Sequence, residues 1–276
     1  MKKRLELTVA NPAGNITILV KTRCDRSEYQ KIGSQLLSMK ELGGEQVAFI
    51  QDTDMADGRI EMCGLEFCGN ASRTFGLMLA QEKSLKGEGT VKVSVSGCEE
   101  VLDVQVNTDN NHTKIKMPMH KSCTAVDLSF LDGGLESNLK DINMPAWLVD
   151  MDGIVHVVLR GIPADEELFK KIKTYIMEEL NPPAMGVMFM DDKAENMEPV
   201  VYVKDVDTTY FEGSCGSGTT ACGIAMAQEK EDGCYSWNLK QPAGEIMATV
   251  EVVSGNVKAV YIEGPVEIGE LMEIEL

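Results

Sequence analysis

Two cysteines in this sequence of 276 residues occupy matched settings. Each opens a turn of glycine, polar and small residues: Cys68-Gly69-Asn70-Ala71-Ser72 and Cys215-Gly216-Ser217-Gly218-Thr219-Thr220. A segment that is apolar nearly all round follows each turn. After the first come Ala71, Phe75, Leu77, Met78, Leu79 and Ala80; after the second come Ala221, Cys222, Ile224, Ala225, Met226 and Ala227. A helix with no wet face is a buried helix, so each cysteine is expected at the N-terminus of one. Four free N–H groups and about half a positive charge gather there. Glycine beside the cysteine lets a ligand approach the backbone, and the N–H groups suit a carboxylate. The same field is expected to lower the thiol pKa and favour thiolate.

The two segments also resemble each other. With Cys68 set over Cys215, an offset of 147, seven of the 16 positions from 68 to 83 are identical, including Gly76 on Gly223 and Gln81-Glu82-Lys83 on Gln228-Glu229-Lys230. Chance gives about one, so the natural reading is an internal duplication. A duplicated pair would aim two helix N-termini at one cleft, each with a thiol. A carboxylate held between them would leave the sulfurs on opposite faces of the adjacent carbon. That suits inversion at an amino-acid Cα: one cysteine as thiolate removes the proton, the other as thiol returns one, and the N–H donors stabilise the enolate-like charge. Cys68 and Cys215 are therefore the candidate acid and base. The backbone N–H groups of Gly69, Asn70, Gly216 and Ser217 are the candidate carboxylate site.

The other six cysteines, Cys24, Cys63, Cys98, Cys123, Cys222 and Cys234, read as small buried hydrophobes. A zinc site on Cys63, Cys68, Cys215 and Cys222 would need C-x4-C and C-x6-C spacings, looser than the pairs of structural zinc, and no metal is expected. Histidine is scarce, with only His112, His120 and His156, so a histidine general base has few candidates. Lys and Arg number 26 against 44 Asp and Glu, a net charge of −18. That balance disfavours nucleic acid and an anionic membrane surface. No apolar run reaches the ~18 residues of a membrane span. After Met1-Lys2-Lys3-Arg4, Glu6 and Thr8 interrupt what would be a signal segment. A cytoplasmic location with reduced thiols is expected.

The elements that must carry these turns are partly legible. Val91, Val93 and Val95, then Leu102, Val104 and Val106, then Ile115 and Met117 alternate with polar residues, and Gly97 and residues 107–112 supply turns, which reads as an antiparallel meander. Further strands are expected over 146–160 and from Glu245 to the C-terminus. Amphipathic helices fit 27–42, capped by Ser27 with Ile32, Leu36 and Leu37 inward, and 165–180. The seam of the duplication falls near 117–122, with Gly264-Pro265 marking a return.

These motifs resemble the diaminopimelate epimerase-like superfamily, which also holds proline racemases and the phenazine-biosynthesis isomerase, and the likeness covers nearly the whole chain. Phe67-Cys68-Gly69-Asn70-Ala71 is similar to its first Cys-Gly-Asn turn and Ser214-Cys215-Gly216-Ser217-Gly218-Thr219 to its second. Gly14-Asn15 resembles the element that contributes a substrate-binding Asn, and Gly44-Glu45-Gln46 the one that brings a Gln to the substrate. The resemblance implies an α/β fold of two pseudo-symmetric lobes, each a curled, mainly antiparallel sheet around a central helix. Residues 1–118 with 264–276 would form one lobe and 119–263 the other, with the site between them. It also implies no cofactor, and a homodimer.

There are departures too. Diaminopimelate epimerases carry a Glu-Arg pair before the second cysteine; here Thr208-Thr209-Tyr210-Phe211-Glu212-Gly213-Ser214 has no Arg. The Asn-Pro-His stretch survives only as the histidine of Ile154-Val155-His156, which reads as a packed strand residue. Residues 182–188 lack the expected Asn. The stretch from Glu61 to Cys68 looks more like the metallophore-associated histidine racemases and the isomerase branch, although the phenazine branch replaces the first cysteine. The reading is a racemase of a free amino acid with a single head group, histidine first. Asn15, Gln46 and Glu212 would bind the α-amino group or side chain. A diaminopimelate epimerase, or a non-catalytic amino-acid-binding protein, is the alternative.

Overall fold

Hydrophobic alternation and two all-apolar helices build two units of the chain, which a computed structural model describes over residues 3–127, 146–191, 193 and 195–276. One unit is Met1–Lys116 with Ile262–Leu276, the other Met117–Tyr261. In the first, β1 (Arg4–Asn11) and β2 (Thr17–Val20) form an antiparallel pair. A 3-10 turn and α1 (Tyr29–Ser38) then cross to β3 (Gln46–Gln51), parallel to β2. β4 (Gly58–Met62) returns antiparallel, and α2 (Gly69–Glu82) crosses to β5 (Glu88–Val95), parallel to β4. β6 (Leu102–Asn107) and β7 (His112–Lys116) complete the antiparallel meander expected from the valine alternation.

The second unit repeats that order with additions. β8 (Ser122–Val126) precedes the antiparallel pair β9 (Ala146–Asp150) and β10 (Ile154–Arg160). α3 (Glu166–Glu179) crosses to β11 (Ala184–Met190), parallel to β10, and β12 (Met197–Val203) and β13 (Thr208–Phe211) follow antiparallel. Next come α4 (Gly216–Ala227) and the meander β14 (Gly233–Gln241), β15 (Gly244–Val253) and β16 (Asn256–Pro265). The chain re-enters the first unit at Ile262, within β16, and β17 (Glu267–Glu275) follows, antiparallel to β1.

Each unit wraps sheet around its apolar helix. α2 packs on β4 through β7, and α4 packs against both β14–β15 and β9–β11. Ala221, Ile224 and Ala225 of α4 join Val158, Met188, Leu239 and Val250 in one core, while Leu168, Phe169, Ile172 and Ile176 of α3 join Val157, Leu159 and Val187 on the other face of the same strands. The period of two along β10 decides which side chain goes where. The duplicated glycines make the close approach possible. A Cβ on Gly76 would lie 2.6 Å from Val104 Cγ1, and one on Gly223 would lie 3.0 Å from the Ala248 Cβ.

Some details differ from expectation. Ser27 does not cap the first helix; it lies inside the 3-10 turn, whose capping box joins Asp25 and Glu28. Leu37 is exposed while Ile32 and Leu36 are buried, because at 3.6 residues per turn position 37 lies about 100° round the helix from Leu36. Strands β1 to β4 and β11 to β14 lie outside the stretches expected from alternation. β11 reads Ala-Met-Gly-Val-Met-Phe-Met and is covered on both faces, so no polar residues mark a wet side.

β4 leads into the first cysteine turn and is pinned by Glu61. Its carboxylate, 3% exposed, accepts from Arg26, from Arg59 at 3.0 Å and from the Tyr29 hydroxyl at 3.0 Å. The Arg26 hydrogen bond above all holds this carboxyl down at about 2. An unfolded Glu titrates near ~4.3, so the stabilisation is fully present above that pH and is lost as pH falls toward about 2. Glu61→Gln is expected to lower stability at pH 7 by about 2 kcal/mol, the exposed side of Arg26 weakening the pair. It should also flatten the fall of Tm below pH 4.5, as measured by thermal denaturation across pH; an unchanged acid limb would exclude this role.

Candidate active site

Each matched cysteine is the N-cap of its buried helix. Cys68 has φ −136° and ψ 112°, and its Sγ accepts from Ala71 N–H at 3.4 Å. Cys215 has φ −133° and ψ 112°, and its Sγ accepts from Gly218 N–H at 3.3 Å. The next contacts match as well: the hydroxyls of Ser72 and Thr219 each donate to the carbonyl of their cysteine at 2.7 Å. Sulfur thus takes the place usually held by Ser or Asp, accepting an orphan donor of the first turn.

Around Cys68 the first unit gathers Asn15, Gln46, Gly69 and Asn70. The Cys68 thiol donates to Gln46 Oε1 at 3.1 Å. Gln46 Nε2 donates to Asn15 Oδ1 at 2.6 Å and to Thr17 Oγ1 at 2.7 Å. Asn70 Nδ2 reaches the same Asn15 oxygen at 3.4 Å. Arg73, fully buried on α2, donates from Nε to Asn70 Oδ1 at 3.1 Å and from its other nitrogens to Pro12, Gly264 and Pro265 carbonyls and the Thr113 hydroxyl. The sequence reading did not single out Arg73. Its one signal is a charge within an otherwise apolar helix, where the duplicate has Thr220.

Around Cys215 the second unit gathers Glu212, Gly216 and Ser217. Ser217 Oγ stands 3.5 Å from the sulfur and 3.0 Å from His156 Nε2. His156 is fully buried on β10, and burial pushes it down to about 3, so its imidazole is neutral. His156 Nδ1 and Ser214 Oγ are buried without hydrogen-bond partners. Gln241, also absent from the sequence reading, accepts the Cys215 N–H at 2.7 Å through Oε1 and donates to the Thr219 hydroxyl at 2.9 Å. It lies on β14, 26 residues from Cys215, and no local motif marks it.

One expectation is reversed. The helix N-terminus does not bring the thiols down. Burial pushes Cys68 up to about 11, with the Glu66 carboxylate adding to the rise. Burial lifts Cys215 well above its ordinary value, and Glu212 lifts it further. Removing an anion from water outweighs the weak N–H···S bonds at each sulfur. Of the remaining cysteines, Cys24 and Cys222 are buried, Cys63, Cys98 and Cys123 are partly buried and Cys234 is exposed, so the reading of all six as buried holds in full only for Cys24 and Cys222. Cys63 is partly buried and donates to the Tyr29 carbonyl at 3.2 Å.

The family described as "Histidine racemase CntK N-terminal domain" matches residues 4–270. The chain belongs to that family. A histidine racemase of Fusobacterium nucleatum subsp. nucleatum is 34% identical over 277 residues, covering 96% of this chain and 94% of that protein. A histidine racemase of Staphylococcus aureus is 28% identical over 251 residues, 89% of this chain and 88% of that protein. Among solved structures, a Bacillus anthracis phenazine biosynthesis protein of the PhzF family covers 99% of both chains with a TM-score of 0.69 at 16% identity, which shows the shared fold. With its family, this chain is an isomerase of the racemase and epimerase kind, and an amino acid is the class of substrate. Among the described residues no helix is long and apolar enough to cross a membrane.

Gln241 ties the second cysteine turn to β14. Gln241→Leu keeps the volume but leaves the buried Cys215 N–H unpaired, at a cost of about 1–3 kcal/mol. The expected outcome is a lower Tm together with at least a tenfold loss in racemisation kcat. A lower Tm with kcat unchanged would make Gln241 a purely structural support.

Proposed function

We propose that this protein racemises free histidine without a cofactor, with Cys68 and Cys215 as the acid–base pair acting on one α-carbon. The observation that carries the reading is the shared N-cap geometry: two sulfurs, 147 residues apart, in the same backbone conformation and on the same helix-start N–H. A core cysteine needs no such match. Backbone N–H groups of Gly69, Asn70, Gly216 and Ser217 would hold the α-carboxylate, and Asn15, Gln46 and Glu212 the amino group or side chain.

In one direction a thiolate removes Cα–H while the other thiol delivers a proton to the opposite face; in the reverse direction the roles exchange. Because burial disfavours both thiolates, the base would be generated by substrate: the α-ammonium brings a positive charge beside the sulfur, which favours the anion. The preference for a single head group rests on 208–214, where no Arg offers a grip for a second carboxylate. A cytoplasmic homodimer completes the proposal, on the family resemblance and on a composition suited to reduced thiols.

L-histidine in D2O, followed by NMR and chiral chromatography, is expected to take up deuterium at Cα and to invert. Cys68→Ala and Cys215→Ala should each lower racemisation by roughly 10²–10⁴-fold, while Cys63→Ala stays within a few-fold. Substantial turnover by either alanine variant in both directions would refute the two-thiol mechanism. kcat/KM for histidine should exceed that for diaminopimelate by at least about tenfold, or ~1.4 kcal/mol of transition-state binding; parity would point to an epimerase of the longer substrate.

A further inference from the structure

Arg73 is a buried cation without a counter-ion. It is the fifth residue of α2, and its side chain is fully buried. Side chains on a helix lean toward its N-terminus, and Arg73 follows: its Nε donates back to Asn70 Oδ1 at 3.1 Å, against the first turn that Cys68 caps. The other two nitrogens donate to the carbonyls of Pro12 at 2.8 Å, Gly264 at 3.0 Å and Pro265 at 3.2 Å, and to the Thr113 hydroxyl at 3.3 Å. All five acceptors are neutral, and among the described residues no carboxylate pairs with the guanidinium. Neutral acceptors need only N–H donors, which an amide side chain supplies without the cost of taking a charge out of water. Nor does a buried helix start call for a cation. At the duplicated position stands Thr220, whose hydroxyl closes on the Gly216 carbonyl at 2.8 Å.

A charge held away from water is felt farther than one on the surface, because little screens it. The start of α2 lies next to this one, with the Cys68 sulfur and the N–H groups of Gly69 and Asn70. We propose that Arg73 is the fixed positive charge of the Cys68 half of the site: it touches no substrate, and it stabilises the anions that form or bind at the start of α2, the Cys68 thiolate and the amino-acid carboxylate. This deepens the racemase reading and, for the carboxylate, rests on it. The interaction is mutual: burial lowers the Arg73 guanidinium, and the sulfur, once ionised, holds it up. The Ala71 N–H, 3.4 Å from the sulfur, works in the same direction as the cation, and the Glu66 carboxylate works against it. Without substrate the thiol keeps its proton and the cation stays unmatched. A bound carboxylate supplies the missing negative charge at the N–H groups. As Cα loses its proton, the enolate-like charge on that carboxylate grows, and the attraction to Arg73 grows with it. The second unit has no such cation at the duplicated position, so the two helix starts differ in field although their backbones agree.

A role in charge and a role in packing predict opposite signs. Without the cation the thiolate is less favoured and alkylation of Cys68 slows; a loosened turn would expose the sulfur and quicken it. Residue-resolved iodoacetamide labelling at pH 8, read by mass spectrometry on the whole chain without substrate, measures this whether or not the protein racemises histidine. Arg73→Gln is expected to slow Cys68 labelling at least about threefold, since the thiolate is the species that reacts, with Cys24 and Cys222 in the two cores unchanged. It should also lower kcat/KM for histidine at least about tenfold. Arg73→Lys keeps the charge and loses the planar fork, and should hold both quantities within about threefold of the native chain. Cys68 labelling that is unchanged or faster in Arg73→Gln overturns the proposal. If Arg73→Gln does not fold, or Cys24 labelling rises with it, Arg73→Lys decides: a tenfold loss of kcat/KM there would mean that the hydrogen-bonded fork and not the charge is what matters, and would overturn it too. Deuterium exchange at histidine Cα, run in parallel on the native chain, separates failure of this role from failure of the racemase reading.

Discussion

A buried helix must satisfy its first N–H groups where no water reaches them, and in this protein sulfur does so twice. The bonds of Cys68 and Cys215 to Ala71 and Gly218 are weak ones, at 3.4 and 3.3 Å. Much else follows from that choice. Sheet must wrap each helix because neither has a wet face, glycine must stand where helix meets strand, and the residues after each cysteine must be small. The thiols are consequently drawn inward, Cys215 buried and Cys68 partly so, and desolvation dominates their chemistry. A helix terminus alone does not make a thiolate here; neighbouring side chains have to decide the proton's place.

Those neighbours are where the duplicated halves diverge. The backbone at the two turns agrees within a few degrees, and the order of strands and helices repeats. Around Cys68, however, are neutral amides, with Arg73 hydrogen-bonded to Asn70. Around Cys215 are a carboxylate, a hydroxyl and a neutral buried imidazole. A racemase of two acid–base groups needs them to exchange roles, and at the moment of reaction they must differ by a proton. A duplicated scaffold supplies the equivalence, and substituted polar neighbours supply the difference. The buried Arg73 shows how far this goes: a full charge sits among hydroxyl and carbonyl acceptors, and burial holds its guanidinium down to about 10. Such an arrangement persists only where packing and many hydrogen bonds support it.

The sequence by itself determined the repeat, the two cysteine turns, the buried character of their helices and the meander over 91–117. Each of these is local: a run of apolar residues, an alternation of period two, or identity at a constant offset. From them and the family resemblance came the amino-acid chemistry and the two sulfurs as its candidates. Tertiary structure alone decided the rest. Gln241 supports Cys215 from a strand 26 residues away, and Arg73 meets Gly264 across 191 residues, separations that carry no local pattern. β11 was invisible because a strand covered on both faces has no polar period. The rise in both thiol pKa values was equally hidden, because it depends on how much water the folded walls exclude, and no spacing of residues along a chain encodes that.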